Sequence, residues 1–194
     1  MSTAPRISPA IEWYLIAKES YGHSKHSVAT SKWGLDILSD YIGDKYIDQI
    51  TQKELQSFMV FLRNEYKPSR PGGDDSPLKE SSIERIWSSM RGFFAWAESE
   101  LGIERPDLKI KKPRYKNPIV KPFTKEEIRE LLKASEHTKL VEDGDRKPFR
   151  MRRPTASRDK AIILLLLDTG IRAGECARLC IRDVDIRQGS IEIK

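Results

Sequence analysis

Apolar positions along this chain recur at spacings of three and four residues almost from its start, the signature of amphipathic helices rather than strands. Ile11, Tyr14, Leu15 and Lys18 share one side of a short helix over about 9–20, and Val28, Leu35, Leu38, Tyr41 and Ile42 one side of a second over about 25–42. Thr51 opens a third helix. With Glu54 it forms a capping box, in which hydroxyl and carboxylate each satisfy a backbone N–H that a helix start leaves open. Its apolar stripe is Leu55, Phe58, Met59, Leu62 and Tyr66. The run PSRPGGDDSP, Pro68 to Pro77, cannot be helical. After it, Ser81 and Glu84 read as another capping box ahead of an apolar face that includes Ile83, Ile86, Met90, Phe93, Phe94 and Ala97, with Gly102 as the stop. Four such helices carry enough large side chains to close a small bundle, with Trp87, Phe93, Phe94 and Trp96 in its core.

The second half changes character. PDLKIKKPRYKNPIVKP, Pro106 to Pro122, holds four prolines and many cations and reads as an interdomain linker. Thr124 and Glu127 cap a fifth helix carrying Ile128, Leu131 and Leu132. Residues 136–157 are polar, with Gly144, Pro148 and Pro154, and read as a long loop. The segment 157–168 is apolar nearly all round, which predicts a buried sixth helix. Thr169-Gly170 breaks it, and a short seventh helix spans about 173–179. Gln188-Gly189 then turns into an alternating strand, Ser190 to Ile193. A lone strand is not stable and this one has no partner after it, so the chain reads as stopping inside a hairpin.

Charge sharpens the picture. The chain has 194 residues and a net charge of +6. Residues 105–122 and residues 146–160 each set seven cations against one carboxylate, so the rest of the chain is net acidic. Two basic blocks on an acidic background point to a localised polyanion site, or to a solvated linker and loop. No apolar run approaches the length of a membrane helix, and the N-terminus lacks a signal-peptide core. Cys176 and Cys180 suit reduced thiols in a cytoplasmic protein, and His23, His26 and His137 make no zinc-ligand pattern, so metal and cofactor are both expected to be none.

The stretch that carries chemistry is LLLLDTGIRAGECARLCIRDVD, Leu164 to Asp185. It sets Arg172 at a helix–turn–helix junction after an apolar helix. A guanidinium fixed there can grip two phosphate oxygens with its planar fork. Spacing alone favours the plainer reading, an ion pair of Arg172 with Glu175 or Asp168. Asp168-Thr169-Gly170 is also, on its face, an aspartic-protease triplet, but such an aspartate belongs to an all-β fold and this chain is largely helical.

The stretch resembles the first active-site box of the tyrosine recombinases (phage integrases), matching at Thr169, Gly170, Ile171, Arg172, Glu175, Leu179, Asp183, Val184 and Asp185, with Cys176 where the family has leucine. PFTKEEIRELLKAS looks like the opening helix of that family's catalytic domain, and the four-helix segment looks like its SAM-like core-binding domain. The resemblance implies a mainly α chain: a SAM-like bundle at 1–104, a basic linker at 105–122, and at 123–194 an incomplete α+β catalytic domain with three helices and the beginning of a β-hairpin. It implies DNA strand breaking and rejoining through a 3′-phosphotyrosyl link in the intact protein, with no metal or nucleotide. The partner is double-stranded DNA, and the intact protein self-associates as a tetramer. Arg172 becomes a phosphate clamp with Glu175 in support; the remaining catalytic groups are expected beyond residue 194, and Lys194 itself is not expected to be the hairpin lysine. The implied DNA contacts are Lys25, His26 and Lys32 with Ser24 and Ser27, then Arg85, Ser88 and Ser89, the linker cations Lys111, Lys112, Arg114 and Lys116, and the loop cations Arg152 and Arg153 with Arg150 and Arg158. The other reading is a DNA-binding module or regulator without catalysis.

Overall fold

The computed structural model describes residues 4–69, 74, 76–115, 119–140 and 149–193, and these are mostly helical with one two-stranded antiparallel sheet. The chain divides into two compact units, Met1–Pro118 and Ile119–Lys194.

In the first unit α1 (Ile7–Ser20), α2 (Lys25–Ile42), α3 (Gln52–Asn64) and α4 (Glu80–Leu101) follow the periodicity of the sequence. The other three helices all pack on α4, α2 most extensively. Ile7, Leu35, Leu38, Leu55, Phe58, Ile86 and Phe93 have almost no exposure. Burial of each such side chain favours the fold by about 1.5–3 kcal/mol. Ser24 caps α2 by accepting the N–H of Ser27 at 3.2 Å. The Thr51 box forms as the sequence predicts: the Glu54 N–H reaches Thr51 Oγ1 at 3.3 Å and the Thr51 N–H reaches Glu54 Oε2 at 2.9 Å.

The Ser81 box does not form. α4 starts earlier, with Lys79 at its N-cap and no side chain capping it, and Ser81 lies within the first turn. The Glu84 carboxylate is engaged by Lys112 and Tyr115 instead, a pairing across the fold that local sequence cannot show. Gly102, at φ 65°, ends α4 in the left-handed region open to glycine.

Residues 103–115 have no helix or strand, in keeping with their prolines, but they are not a free linker. They run back along α4 as a strap. Ile103, Ile110 and Pro113 are buried. The Asp107 carboxylate has no exposure and binds Arg105 at 2.8 Å and, more loosely, Arg91 at 3.7 Å. Farther along, Trp87 Nε1 donates to the Ile110 carbonyl at 3.2 Å.

The second unit holds α5 (Lys125–Ser135), α6 (Ala156–Thr169), α7 (Ala173–Arg178), β1 (Val184–Asp185) and β2 (Ser190–Ile191). Thr124 and Glu127 cap α5 reciprocally. Two expectations are corrected here. The sixth helix is not buried: Ala156 is its one buried residue, and Ile162, Leu164 and Leu167 stand 40%, 49% and 39% exposed. α5 and α7 pack on parts of α6, and Leu165, Asp168 and Thr169 at its end share a cleft with the β1–β2 hairpin, but much of its apolar surface stays open. The strand at Ser190 also has a partner, and it lies upstream. β2 pairs antiparallel with β1, Val184 opposite Ile191 and Asp185 opposite Ser190. Asp185 Oδ1 holds the turn by accepting the N–H groups of Arg187 at 2.8 Å and Gln188 at 3.0 Å. The long polar loop is closed at its base, where the Thr138 N–H bonds the Met151 carbonyl at 2.8 Å and the Arg153 N–H the Glu136 carbonyl at 2.7 Å.

Glu54 provides a test of the first unit. Hydrogen bonds from Lys45 and then from the Thr51 backbone hold its carboxyl at about 2, against an ordinary 4.5. A carboxyl depressed on folding adds stability that is complete above the unfolded value and is lost as pH falls through the folded one. Glu54→Gln is therefore expected to cost about 1 kcal/mol at pH 7, a deficit that shrinks as pH drops from 4.5 toward 2. Urea unfolding of both proteins across that range measures it.

Candidate nucleic-acid interface

The first unit has an open groove of about 520 Å³ between α2 and α4. Its walls are His26, Ser27 and Thr30 from α2 and Arg85 and Ser88 from α4, with Tyr115 of the strap at its edge. The helices come together closely because position 34 has no side chain: a Cβ on Gly34 would sit 3.3 Å from both Ile86 Cα and Ser89 Cβ. The first turn of α2 and the middle of α4 thus form one surface.

The cations expected at this interface fall into two groups. Lys25, His26 and Arg85 are exposed, and no carboxylate partner is recorded for them among the described residues. Lys111 and Arg114 on the strap are likewise exposed and unpaired among the described residues. Lys32, by contrast, is paired with Asp36 at 2.7 Å on its own helix, and Lys112 with Glu84 at 2.5 Å. Lys112, then Tyr115, pull the Glu84 carboxyl below its ordinary value, and the same contacts raise Lys112 and Tyr115. Lys116 lies outside the described residues.

The serines also divide. Ser88 is exposed. Ser89 is only 7% exposed and donates its hydroxyl to the Arg85 carbonyl at 3.0 Å, so it belongs to the groove floor. Thr30, Trp33, Tyr115 and Lys18 were not singled out as contacts from the sequence, yet each lines this groove or the shallower one beside it. Thr30 and Trp33 follow His26 by four and seven residues and so share its helix face, a signal that was readable. Tyr115 and Lys18 arrive by long-range packing and left none.

In the second unit Arg172 follows the left-handed Gly170, φ 66°, and the buried Ile171. Its backbone N–H donates to Glu175 Oε2 at 2.8 Å and its Nη1 to Glu175 Oε1 at 2.7 Å. Glu175 thus caps α7 and fixes the guanidinium together, and its carboxyl is lowered by those contacts, the backbone one first. The Arg172 side chain is nevertheless 86% exposed. Thr169 is the last residue of α6, so Asp168-Thr169-Gly170 is a helix end and not the loop of an all-β protease. Arg152 is exposed beside the bridge to His137. Arg153 and Arg158 both pair with Asp159, at 3.5 and 3.0 Å, while Arg150 is exposed.

Residues 12–101 match the family model of the phage integrase N-terminal SAM-like domain, and residues 121–194 that of the phage integrase family. The chain belongs to the tyrosine recombinase (phage integrase) family. It is similar to tyrosine recombinase XerC of Oceanobacillus iheyensis, 24% identical over 189 residues that make up 97% of this chain and 54% of that protein. XerC of Vibrio campbellii is 28% identical over 95% of this chain and 52% of its own length. The chain therefore spans about half the length of the curated relatives it matches. A crystal structure of a lambda integrase dimer bound to a COC′ core site shares the fold, with a TM-score of 0.68 at 15% identity, covering 97% of this chain and 48% of that one. No helix among the described residues is long and apolar enough to cross a membrane.

Asp107 anchors the strap that places Lys111, Lys112 and Tyr115. Asp107→Ala leaves Arg105, itself only 14% exposed, with just the looser contact to Glu98 at 3.8 Å. Losing one member of a buried pair costs about 3 kcal/mol. The variant is expected to lose that much stability in denaturant titration and, in limited proteolysis, to be cut first between residues 104 and 115.

Proposed function

We propose that this chain is the DNA-clamping part of a site-specific tyrosine recombinase. The observation that carries the reading is the α2–α4 groove, where basic and hydroxyl side chains converge on one surface and Arg85 has no carboxylate partner among the described residues. Such side chains serve duplex DNA in two ways: hydroxyls and amines hold phosphates, and a free arginine fork reads guanine in the major groove. Lys25, His26, Arg85 and Ser88 make the groove contacts, while Lys111, Lys112, Arg114 and Lys116 follow phosphates along the segment 105–122. That segment joins a DNA-binding domain at 1–104 to catalytic residues at 123–194.

In the intact recombinase Arg172 clamps the phosphate under attack, with Glu175 holding its direction and Arg152 and Arg153 adding contacts nearby. A tyrosine hydroxyl attacks that phosphate. The 3′-phosphotyrosyl bond forms as the phosphate–5′-oxygen bond breaks, and the 5′-hydroxyl leaves with a proton. The bond energy stays in the covalent intermediate, so the step calls for neither metal nor nucleotide. All six tyrosines of this chain precede residue 116 and none lies in 119–194. For residues 1–194 by themselves this favours the second reading, a binding module that does not cleave. Assembly of four subunits on DNA in the cytoplasm belongs to the intact protein.

Fluorescence anisotropy with a duplex tests the clamp. Arg85→Ala is expected to weaken binding about 5- to 100-fold with relaxed sequence preference, and Lys111→Ala to weaken all sequences alike and lower the salt slope by about one. The reading is wrong if the chain ignores duplex DNA even at low salt. In the complete recombinase Arg172→Ala is expected to reduce cleavage at least 100-fold and to change affinity little. A covalent DNA adduct formed by residues 1–194 alone would overturn the division of labour.

A further inference from the structure

We infer that Lys18 of α1 is an anion-binding residue at the floor of the α2–α4 groove, built to hold one backbone phosphate of a bound duplex. This rests on the DNA-binding reading above and adds a third helix to it. The Lys18 side chain passes over the Tyr14 ring, its Nζ 5.6 Å from the ring centroid, and donates to Ser31 Oγ at 3.0 Å. Both partners are fixed. Ser31 and Tyr14 are 4% and 7% exposed, and their hydroxyls share a hydrogen bond. The Tyr14 hydroxyl fits where Gly92 has no side chain, since a Cβ there would lie 2.6 Å from it.

An ammonium has three N–H donors. Ser31 takes one, and the ring face offers no lone pair. Among the described residues Lys18 has no carboxylate partner. The ionisable groups lining the groove are Tyr14 from α1, His26 from α2, Glu84 and Arg85 from α4, and Tyr115 from the strap. Of these only Glu84 is a carboxylate, and it is committed to Lys112 and Tyr115. Partial burial without a counter-charge pushes the Lys18 amine below its ordinary value. A cation partly withdrawn from water is retained at a cost unless an anion completes it. A phosphate oxygen entering between Ser27 and Ser88 would supply both the charge and the missing acceptors.

The test uses the whole 194-residue chain and a 30-base-pair duplex of arbitrary sequence, with anisotropy read from 50 to 250 mM salt. Lys18→Met keeps the aliphatic stem over Tyr14. It is expected to bind about 5- to 10-fold more weakly at 100 mM salt, with a log–log salt slope smaller by about one, the mark of a lost phosphate contact. Without DNA it is expected to melt at or above the wild type, because an uncompensated charge is gone; a lysine with a purely structural role would melt lower. If Lys18→Met does not fold, Lys18→Gln, which also removes the charge, is measured in its place. A wild type that binds DNA while the variant keeps its affinity and its slope overturns the inference and leaves the clamp standing. A wild type that does not bind overturns both.

Discussion

The first unit depends on how closely α2 approaches α4. At Gly34 the gap between the helices is too narrow for even a methyl group without a shift of a few tenths of an ångström. That approach is what converts two amphipathic helices into one continuous surface. It lowers Thr30 and Ser31 to the level of Ser88 and Ser89, and it leaves the first turn of α2 and the Arg85 side of α4 as the walls of a single groove. The apolar core beneath the groove, with Phe93 edge-on to Tyr14 at 5.8 Å, supports this spacing.

Charge is then sorted by pairing. Exposed ion pairs add little to stability, about 0–1 kcal/mol, so the pairs on this chain matter more for which cations they occupy. Lys32, Lys112, Arg153 and Arg158 each have a carboxylate within the unit, while Lys25, Arg85, Lys111 and Arg114 have none among the described residues. The unpaired set is where a polyanion gains most, because no internal counter-charge must be displaced. Glu84 is the exception inside the groove. It ties down the strap through Lys112 and Tyr115, so any anion approaching Lys112 would have to compete with it.

Much of this was legible in the sequence, for local reasons. Helical periodicity located α1 to α4 to within a few residues, and two of the three capping boxes formed because hydroxyl and carboxylate lie in the same turn. The Ser81 box failed because Glu84 had a partner 28 residues later, and pairings at that distance leave no local mark. The strap is the same case: prolines correctly excluded helix from 103–115, but nothing nearby announced that Asp107 would be buried against Arg105. Lys18 was read as part of an apolar face, which its stem does join, and only the packed bundle shows where its amine ends. Of the hairpin only the later strand was legible. Val184-Asp185 is too short a stretch to show alternation, and it lies before the turn that Asp185 itself builds.

α6 is where expectation and structure differ most, and the difference bears on Arg172. The sequence predicts a buried helix ahead of the arginine, and burial would have held that helix rigid. Among the described residues its apolar sides are open, and what fixes Arg172 is local: the left-handed Gly170, the buried Ile171 and the two oxygens of Glu175. These define the direction of the guanidinium without immobilising α6. A helix bearing Ile162, Leu164 and Leu167 on its open sides carries more apolar surface than water tolerates cheaply, and such surface marks a place for protein to pack. Covering α6 would stiffen the element from which Arg172 is hung. The force that covers α6 and the force that aims Arg172 would then be one and the same.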